Sequence, residues 1–138
     1  MAHKARKRFG QNFLVDHQII NQIVSTISPK TSDSIIEIGP GKGAITFPLI
    51  DHLEHIHVIE IDRDLISFLQ KKNNEKIIIH ESDALVFNFN QFAKKIRIIG
   101  NLPYNISSPL LFHLLNYRDS IIDMTFMLQK EVVDRIVA

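Results

Sequence analysis

Apolar positions Ile19, Ile20, Ile23, Val24 and Ile27 recur at helical spacing behind Asp16, whose carboxylate suits an N-cap, and Ser28-Pro29 stops the pattern. That predicts a first helix. The rhythm then changes: residues 34–38, Ser-Ile-Ile-Glu-Ile, form a short β-branched run closed by glycines, as a buried strand does. Residues 44–53 return to helical spacing, with Pro48 expected near the first turn, where its missing N–H is tolerated. Further strands are expected over 57–61, 76–80 and 96–99, with a helix over 63–72 capped by Asp62 between the first two. The connection into 96–99 is rich in phenylalanine, with Phe87, Phe89 and Phe92. Ser108-Pro109 reads as an N-cap followed by a first-turn proline, ahead of a stripe of Leu110, Leu111, Leu114 and Leu115. A strand over 124–128 and the start of a helix over 131–137 complete the pattern.

Strands alternating with helices imply an α/β fold with a doubly wound, mostly parallel sheet. No repeat, low-complexity stretch or linker divides the 138 residues, so a single domain over 1–138 is expected. The pattern stops at Ala138 within a helical stretch, which predicts a domain truncated after about strand five. Such a sheet would expose an apolar edge, and self-association through that edge, or cover by another chain, is the expected remedy.

Hydrophobic residues make up 45% of the chain, charged residues 22% and aromatic residues 8%, which excludes a disordered or fibrous protein. No apolar run reaches the roughly 18 residues of a membrane span, and the basic start leads into Gly-Gln-Asn rather than the apolar stretch of a secretion signal, so a cytoplasmic location is expected. Without cysteine there is no disulfide and no thiolate metal site. His52, His55 and His57 are close in sequence but lack a convincing ligand spacing, and no metal is expected. The net charge is only +1, yet His3, Lys4, Arg6, Lys7 and Arg8 precede the first acid, Asp16. Such an arm is either a solvated tail or a phosphate-contacting segment, with Lys4, Arg6, Lys7 and Arg8 the candidates for RNA binding.

In open parallel sheets a ligand lies beyond the carboxyl ends of the strands, where the strand order reverses. Those ends carry Gly39, Gly41 and Gly43, then Glu60, Asp83, and the run Asn101-Leu102-Pro103-Tyr104. The spacing G-x-G-x-G lets the backbone approach a ligand closely, although it also suits a purely structural turn. It matches neither the dinucleotide fingerprint nor the phosphate loop. Glu60 stands 21 positions beyond Gly39, where a carboxylate can accept from both hydroxyls of a ribose, or can simply end a strand in solvent. Asp83 could accept from the amino group of a cofactor's adenine, or cap a local turn at Ala84-Leu85. The Asn-Leu-Pro-Tyr run can grip an exocyclic base amine. The Asn101 amide oxygen and the Leu102 carbonyl would accept its hydrogens, Pro103 would fix the backbone direction, and Tyr104 would stack on an extruded base. Alone, those four residues could equally be a turn with a packed aromatic.

Arg8 to Leu14 (Arg-Phe-Gly-Gln-Asn-Phe-Leu), 37–41 (Glu-Ile-Gly-Pro-Gly), 59–62 (Ile-Glu-Ile-Asp), 100–107 (Gly-Asn-Leu-Pro-Tyr-Asn-Ile-Ser) and 126–133 follow one another in an order that resembles the ribosomal RNA adenine dimethyltransferases of the KsgA or RsmA type. The erythromycin-resistance methylases are cousins of that family, and the likeness is greater to its housekeeping branch. The resemblance implies a Rossmann-like class I methyltransferase domain that uses S-adenosylmethionine and no metal. By position, Asn12, Leu14 (through its backbone), Gly39, Gly41, Glu60, Asp83 and Asn101 would contact the cofactor, and Asn101, Leu102, Pro103 and Tyr104 would hold the target adenine. The implied activity is dimethylation of two adjacent adenines in small-subunit (16S) ribosomal RNA, in the immature 30S subunit. The family's helical C-terminal domain has no counterpart in this chain. Rival functions are methylation of large-subunit RNA or of DNA adenines, a ribosome-assembly factor whose methylation is incidental, and a small-molecule methyltransferase. The last explains residues 37–62 but neither the basic arm nor the amine loop.

Overall fold

The computed structural model describes residues 16–128. The candidate residues Lys4, Arg6, Lys7, Arg8, Asn12 and Leu14, and the helix expected over 131–137, lie outside the described residues. Helix α1 (His17–Ile27) begins as its sequence requires, with the Asp16 carboxylate accepting from the Gln18 and Ile19 N–H groups. It ends at Ser28, which adopts a left-handed conformation and donates its N–H to the Val24 carbonyl. The elements that follow are β1 (Ile35–Ile38), α2 (Thr46–Ile50), β2 (Ile56–Glu60), α3 (Arg63–Gln70), β3 (Ile77–Glu81), β4 (Ile96–Leu102), α4 (Tyr104–Leu115), a 3-10 turn at Arg118–Ser120 and β5 (Ile121–Leu128). Asp62 caps α3 through the Asp64 and Leu65 N–H groups, as expected.

The five strands form one parallel sheet in the order β3-β2-β1-β4-β5. The order therefore reverses between β1 and β4, which makes their carboxyl ends the switch point of the sheet. All four residues of β1 are buried, as a central parallel strand covered on both faces must be. On one face Ile35, Ile56, Val58 and Ile99 meet Ile20 and Ile27 of α1, Leu49 and Ile50 of α2 and Leu69 of α3. On the other, Ile36, Ile38, Ile59, Ile96 and Ile98 meet Leu110 and Leu114 of α4. The sheet is thus doubly wound, in agreement with the sequence pattern.

Three expectations need correction. The helix over 44–53 is confined to Thr46–Ile50; all three glycines of the preceding segment have positive φ, and turn geometry persists through Ile45. The fourth strand does not stop at Ile99. It continues through Leu102 because β5 runs alongside and pairs Gly100 with Phe126, Asn101 with Met127 and Leu102 with Leu128. Consequently Asn101 and Leu102 are strand residues, not loop residues. Ser108-Pro109 is not the start of α4 either. The chain turns at Pro103, whose extended backbone makes it the N-cap, and Pro109 lies inside the helix. There its ring leaves the Asn105 carbonyl without an intrahelical donor.

No helix covers the sheet between β3 and β4. Ala84, Phe87 and Phe89 are buried in its place, and Phe87 meets Phe89 with ring centroids 5.0 Å apart in edge-to-face geometry. At the amino end of the sheet Arg97 ties four segments together. Its guanidinium pairs with Asp33 at 2.8 Å and with Asp123 at 3.0 Å, and donates to the Ile27 and Ser28 carbonyls at the end of α1. Beside β5, Phe112 and Leu115 on α4 and Ile122 and Met124 on the strand are exposed.

Candidate functional site

Register brings the candidate residues to one edge. Ile38 pairs with Ile59 on one side and with Gly100 on the other, so the next residues, Gly39, Glu60 and Asn101, stand side by side at the carboxyl end of the sheet. The Gly39 N–H continues the ladder by donating to the Ile59 carbonyl at 2.9 Å. Glu60 pairs in turn with Glu81, and the Ser82 N–H donates to the Glu60 carbonyl, which draws the β3 exit carrying Asp83 to the same edge.

The segment between β1 and α2 is a bare backbone shelf. Gly39, Gly41 and Gly43 have φ of +67°, +59° and +87°, which a side chain would strain. Their surroundings differ. Among the described residues, a Cβ on Gly39 or Gly41 would meet nothing within 4 Å, whereas one on Gly43 would lie 2.3 Å from the Phe47 ring. Gly43 is thus a packing glycine, and the first two leave open space over the shelf, where a ligand can reach the main chain. The Gly43 N–H is itself held by the Pro40 carbonyl at 2.9 Å.

Glu60 is 8% exposed. One oxygen, Oε2, accepts from the Ile61 and Asp62 N–H groups at 3.0 and 3.1 Å, which fixes the carboxylate plane. Among the described residues no donor reaches Oε1. A carboxylate held by one oxygen and open at the other is suited to a hydroxyl donor. Asp83 is exposed and caps its own turn, its Oδ1 accepting from the Leu85 N–H at 2.9 Å. On β4, Asn101 is partly exposed, Leu102 buries its side chain and Pro103 is exposed. Tyr104 is the first residue of α4.

Glu37 has no role in the sequence-based site beyond its place in a motif. It is the single acid within β1, 3% exposed, and accepts from the hydroxyl of the fully buried Thr46. Burial pushes its carboxyl up to about 7; the Thr46 bond opposes that shift and the nearby charge of Glu60 adds to it. An acid interrupting a run of isoleucines is the signal that marks it. Nothing in the sequence singles out Thr46. A histidine pair was also not foreseen: His57 Nδ1 and His80 Nε2 lie 2.9 Å apart between the rings of Phe87 and Phe92. Burial, with smaller contributions from His80 and His55, lowers His57 to about 4. The described residues contain no group of three or more ligating side chains that could hold a metal ion.

A family model described as ribosomal RNA adenine dimethylase matches residues 2–138. The chain belongs to that family. The ribosomal RNA small subunit methyltransferase A of Dechloromonas aromatica is 60% identical to this chain over 137 residues, which cover 99% of the chain and 54% of the relative. The chain spans about half the length of the curated relatives it matches. Among solved structures, a dimethyladenosine transferase from Plasmodium falciparum superposes with a TM-score of 0.75 at 31% identity, covering 89% of this chain and 45% of the other. The 23S rRNA methyltransferase ErmE superposes with a TM-score of 0.72 at 25% identity, covering 84% and 47%. Both likenesses place the sheet in a Rossmann-like methyltransferase fold.

Proposed function

We propose that the chain is the cofactor-binding part of a ribosomal RNA adenine dimethyltransferase that uses S-adenosylmethionine to methylate the exocyclic amines of two adjacent adenines in 16S ribosomal RNA of the immature 30S subunit. The observation that carries this proposal is the register that sets Gly39, Glu60 and Asn101 abreast at the switch point. The small-subunit substrate is favoured by the names of relatives that are 55% to 60% identical to the chain over the aligned residues. The reaction belongs in the cytoplasm, where small subunits assemble; among the described residues no helix is long and apolar enough to cross a membrane.

The site fits the cofactor. The open shelf at Gly39 and Gly41 receives a methionine chain, Glu60 Oε1 accepts from ribose hydroxyls, and Asp83 takes the adenine amino group at its second oxygen. Asn12 and Leu14 complete the set by position in the motif. When bound, S-adenosylmethionine supplies an electrophilic methyl group on a sulfonium. No metal is needed, because that leaving group is already activated.

The amine of a base is a poor nucleophile, its lone pair being delocalised into the ring. The Asn101 amide oxygen and the Leu102 carbonyl accept its two hydrogens and draw the nitrogen toward tetrahedral geometry. Pro103, with φ of −60°, directs those acceptors, and Tyr104 stacks on the extruded base. Positioning supplies most of the rate, and the proton leaves to water after methyl transfer. Lys4, Arg6, Lys7 and Arg8 contact the RNA phosphates. The exposed Phe112, Leu115 and Ile122 beside β5 are an apolar face through which the isolated chain self-associates.

Calorimetric titration with S-adenosylmethionine, followed by primer extension on methyl-free ribosomal RNA of each subunit after treatment with the full-length protein, tests the proposal. Binding with stops at paired adenines of the small-subunit RNA is expected. Stops confined to large-subunit RNA, or no binding, would overturn it.

A further inference from the structure

We propose that Glu37 is a positioning residue for the cofactor shelf, acting through the hydroxyl of Thr46. This rests on the function above only in its last step, the effect on cofactor affinity.

Glu37 and Thr46 stand at the two ends of the glycine segment, one on β1 and the other opening α2. Their bond links positions nine apart and closes the base of a loop in which every glycine has a left-handed backbone. Few other ties hold that loop. Among the described residues Gly39 is anchored to β2, the Gly43 to Pro40 bond is internal, and the Phe47 N–H of α2 donates to the Gly43 carbonyl at 3.0 Å. A clasp at the base therefore limits how far the shelf can open.

Stability alone does not account for an acid here. An apolar side chain of the same volume would fill this part of the core without the penalty of desolvating a carboxyl group. The neighbours of Glu37 across the sheet are Val58 and Ile99, both apolar. Thr46 is its hydrogen-bond partner from α2, and Glu60 on β2 is the charged group that raises its pKa. Burial raises the Glu37 pKa and so favours its neutral form, in which the bond from Thr46 is kept.

The test uses Glu37→Gln, Glu37→Leu, Thr46→Val and the double variant Glu37→Leu/Thr46→Val. Amide hydrogen exchange at Gly39 and Gly43, whose N–H groups are hydrogen-bonded, is read in the free chain, and S-adenosylmethionine affinity by calorimetry. Glu37→Gln should keep both within about twofold of wild type, because a neutral isostere preserves the bond. Glu37→Leu and Thr46→Val should each speed exchange and weaken affinity about tenfold, with the double variant no worse than either single one. Unchanged exchange in Glu37→Leu, or equal damage from Glu37→Gln and Glu37→Leu, would overturn the clasp. Glu60→Ala serves as the control, weakening affinity without altering exchange. If wild type binds no cofactor while exchange follows the expected pattern, the proposed function fails and the clasp stands.

Discussion

Ile38 and Gly100 face each other across the β1–β4 ladder, and the Ile38 carbonyl oxygen lies 3.0 Å from where a side chain on Gly100 would begin. The close approach brings the two strand ends of the switch point together and sets the height of Asn101 beside Gly39. Gly100→Ala should therefore push β4 away from β1, lower stability by roughly 1–3 kcal/mol and impair methylation out of proportion to that loss. Chemical denaturation and single-turnover methylation, measured on the same preparation, separate the two effects.

Glu60 and Asn101 should divide the work. Glu60→Ala removes the open oxygen and is expected to weaken cofactor binding by about tenfold or more. Asn101→Ala should abolish methylation while affinity falls modestly. Calorimetry and methyl incorporation in the full-length protein check the split; two variants as active as wild type would defeat both assignments.

The glycines should not behave alike. Gly43→Ala combines a left-handed backbone with a methyl group inside the Phe47 ring, for a loss of roughly 2 kcal/mol or more. Gly41→Ala meets open space, so only backbone strain of roughly 1–2 kcal/mol is expected in the free chain. Its larger effect should be on cofactor affinity. Thermal melting with and without S-adenosylmethionine distinguishes them.

The part of the fold visible from sequence is the part whose cause is local. Asp16 and Asp62 announce their helices because a carboxylate before an apolar stripe satisfies orphan N–H groups, and both cap as expected. The start of α4 was misplaced because Ser108-Pro109 has the right chemistry for a helix start, whereas the extent of β4 depends on β5, more than twenty residues further along the chain. At the site, Gly39, Glu60 and Asn101 were legible since each ends an apolar run. Thr46 was not, because its importance arises from a partner on another element.

Arg97 should matter to stability and not to binding. Arg97→Met leaves Asp33 and Asp123 without their shared cation, and a loss of roughly 3 kcal/mol is expected from urea unfolding. The tie lies at the amino end of the sheet, opposite the shelf, so cofactor affinity should be unchanged once the chain is folded.

Buried Glu37 and half-buried His57 tilt the pH dependence of stability in opposite directions. Glu37 holds its proton up to about pH 7 when folded but only to about 4.5 when unfolded, so between those values the folded chain binds more protons. The Glu37 contribution should therefore fall as pH rises from about 4.5 to about 7, by a total on the order of 3 kcal/mol, and removing it with Glu37→Gln should leave a profile that rises with pH. His57 titrates near 4 when folded and near 6.5 when unfolded, so its contribution is present above about 6.5 and is lost as pH falls toward 4. The two terms nearly offset each other between about pH 4.5 and 6.5, so His57→Phe should leave a stability that falls as pH rises through that range. Urea midpoints from pH 4 to 8 for wild type and both variants check the signs.

The crossover that carries Asp83 has rings where the other crossovers have helices, and this gives the two ends of the cofactor site different thermal behaviour. The Glu60 carboxylate is anchored by the Ile61 and Asp62 N–H groups that follow β2, whereas the platform beneath Asp83 is stabilised by buried Phe87 and Phe89. Apolar burial weakens on cooling, so chilling should loosen the contact proposed for Asp83 with adenine while the one proposed for Glu60 with ribose stays firm.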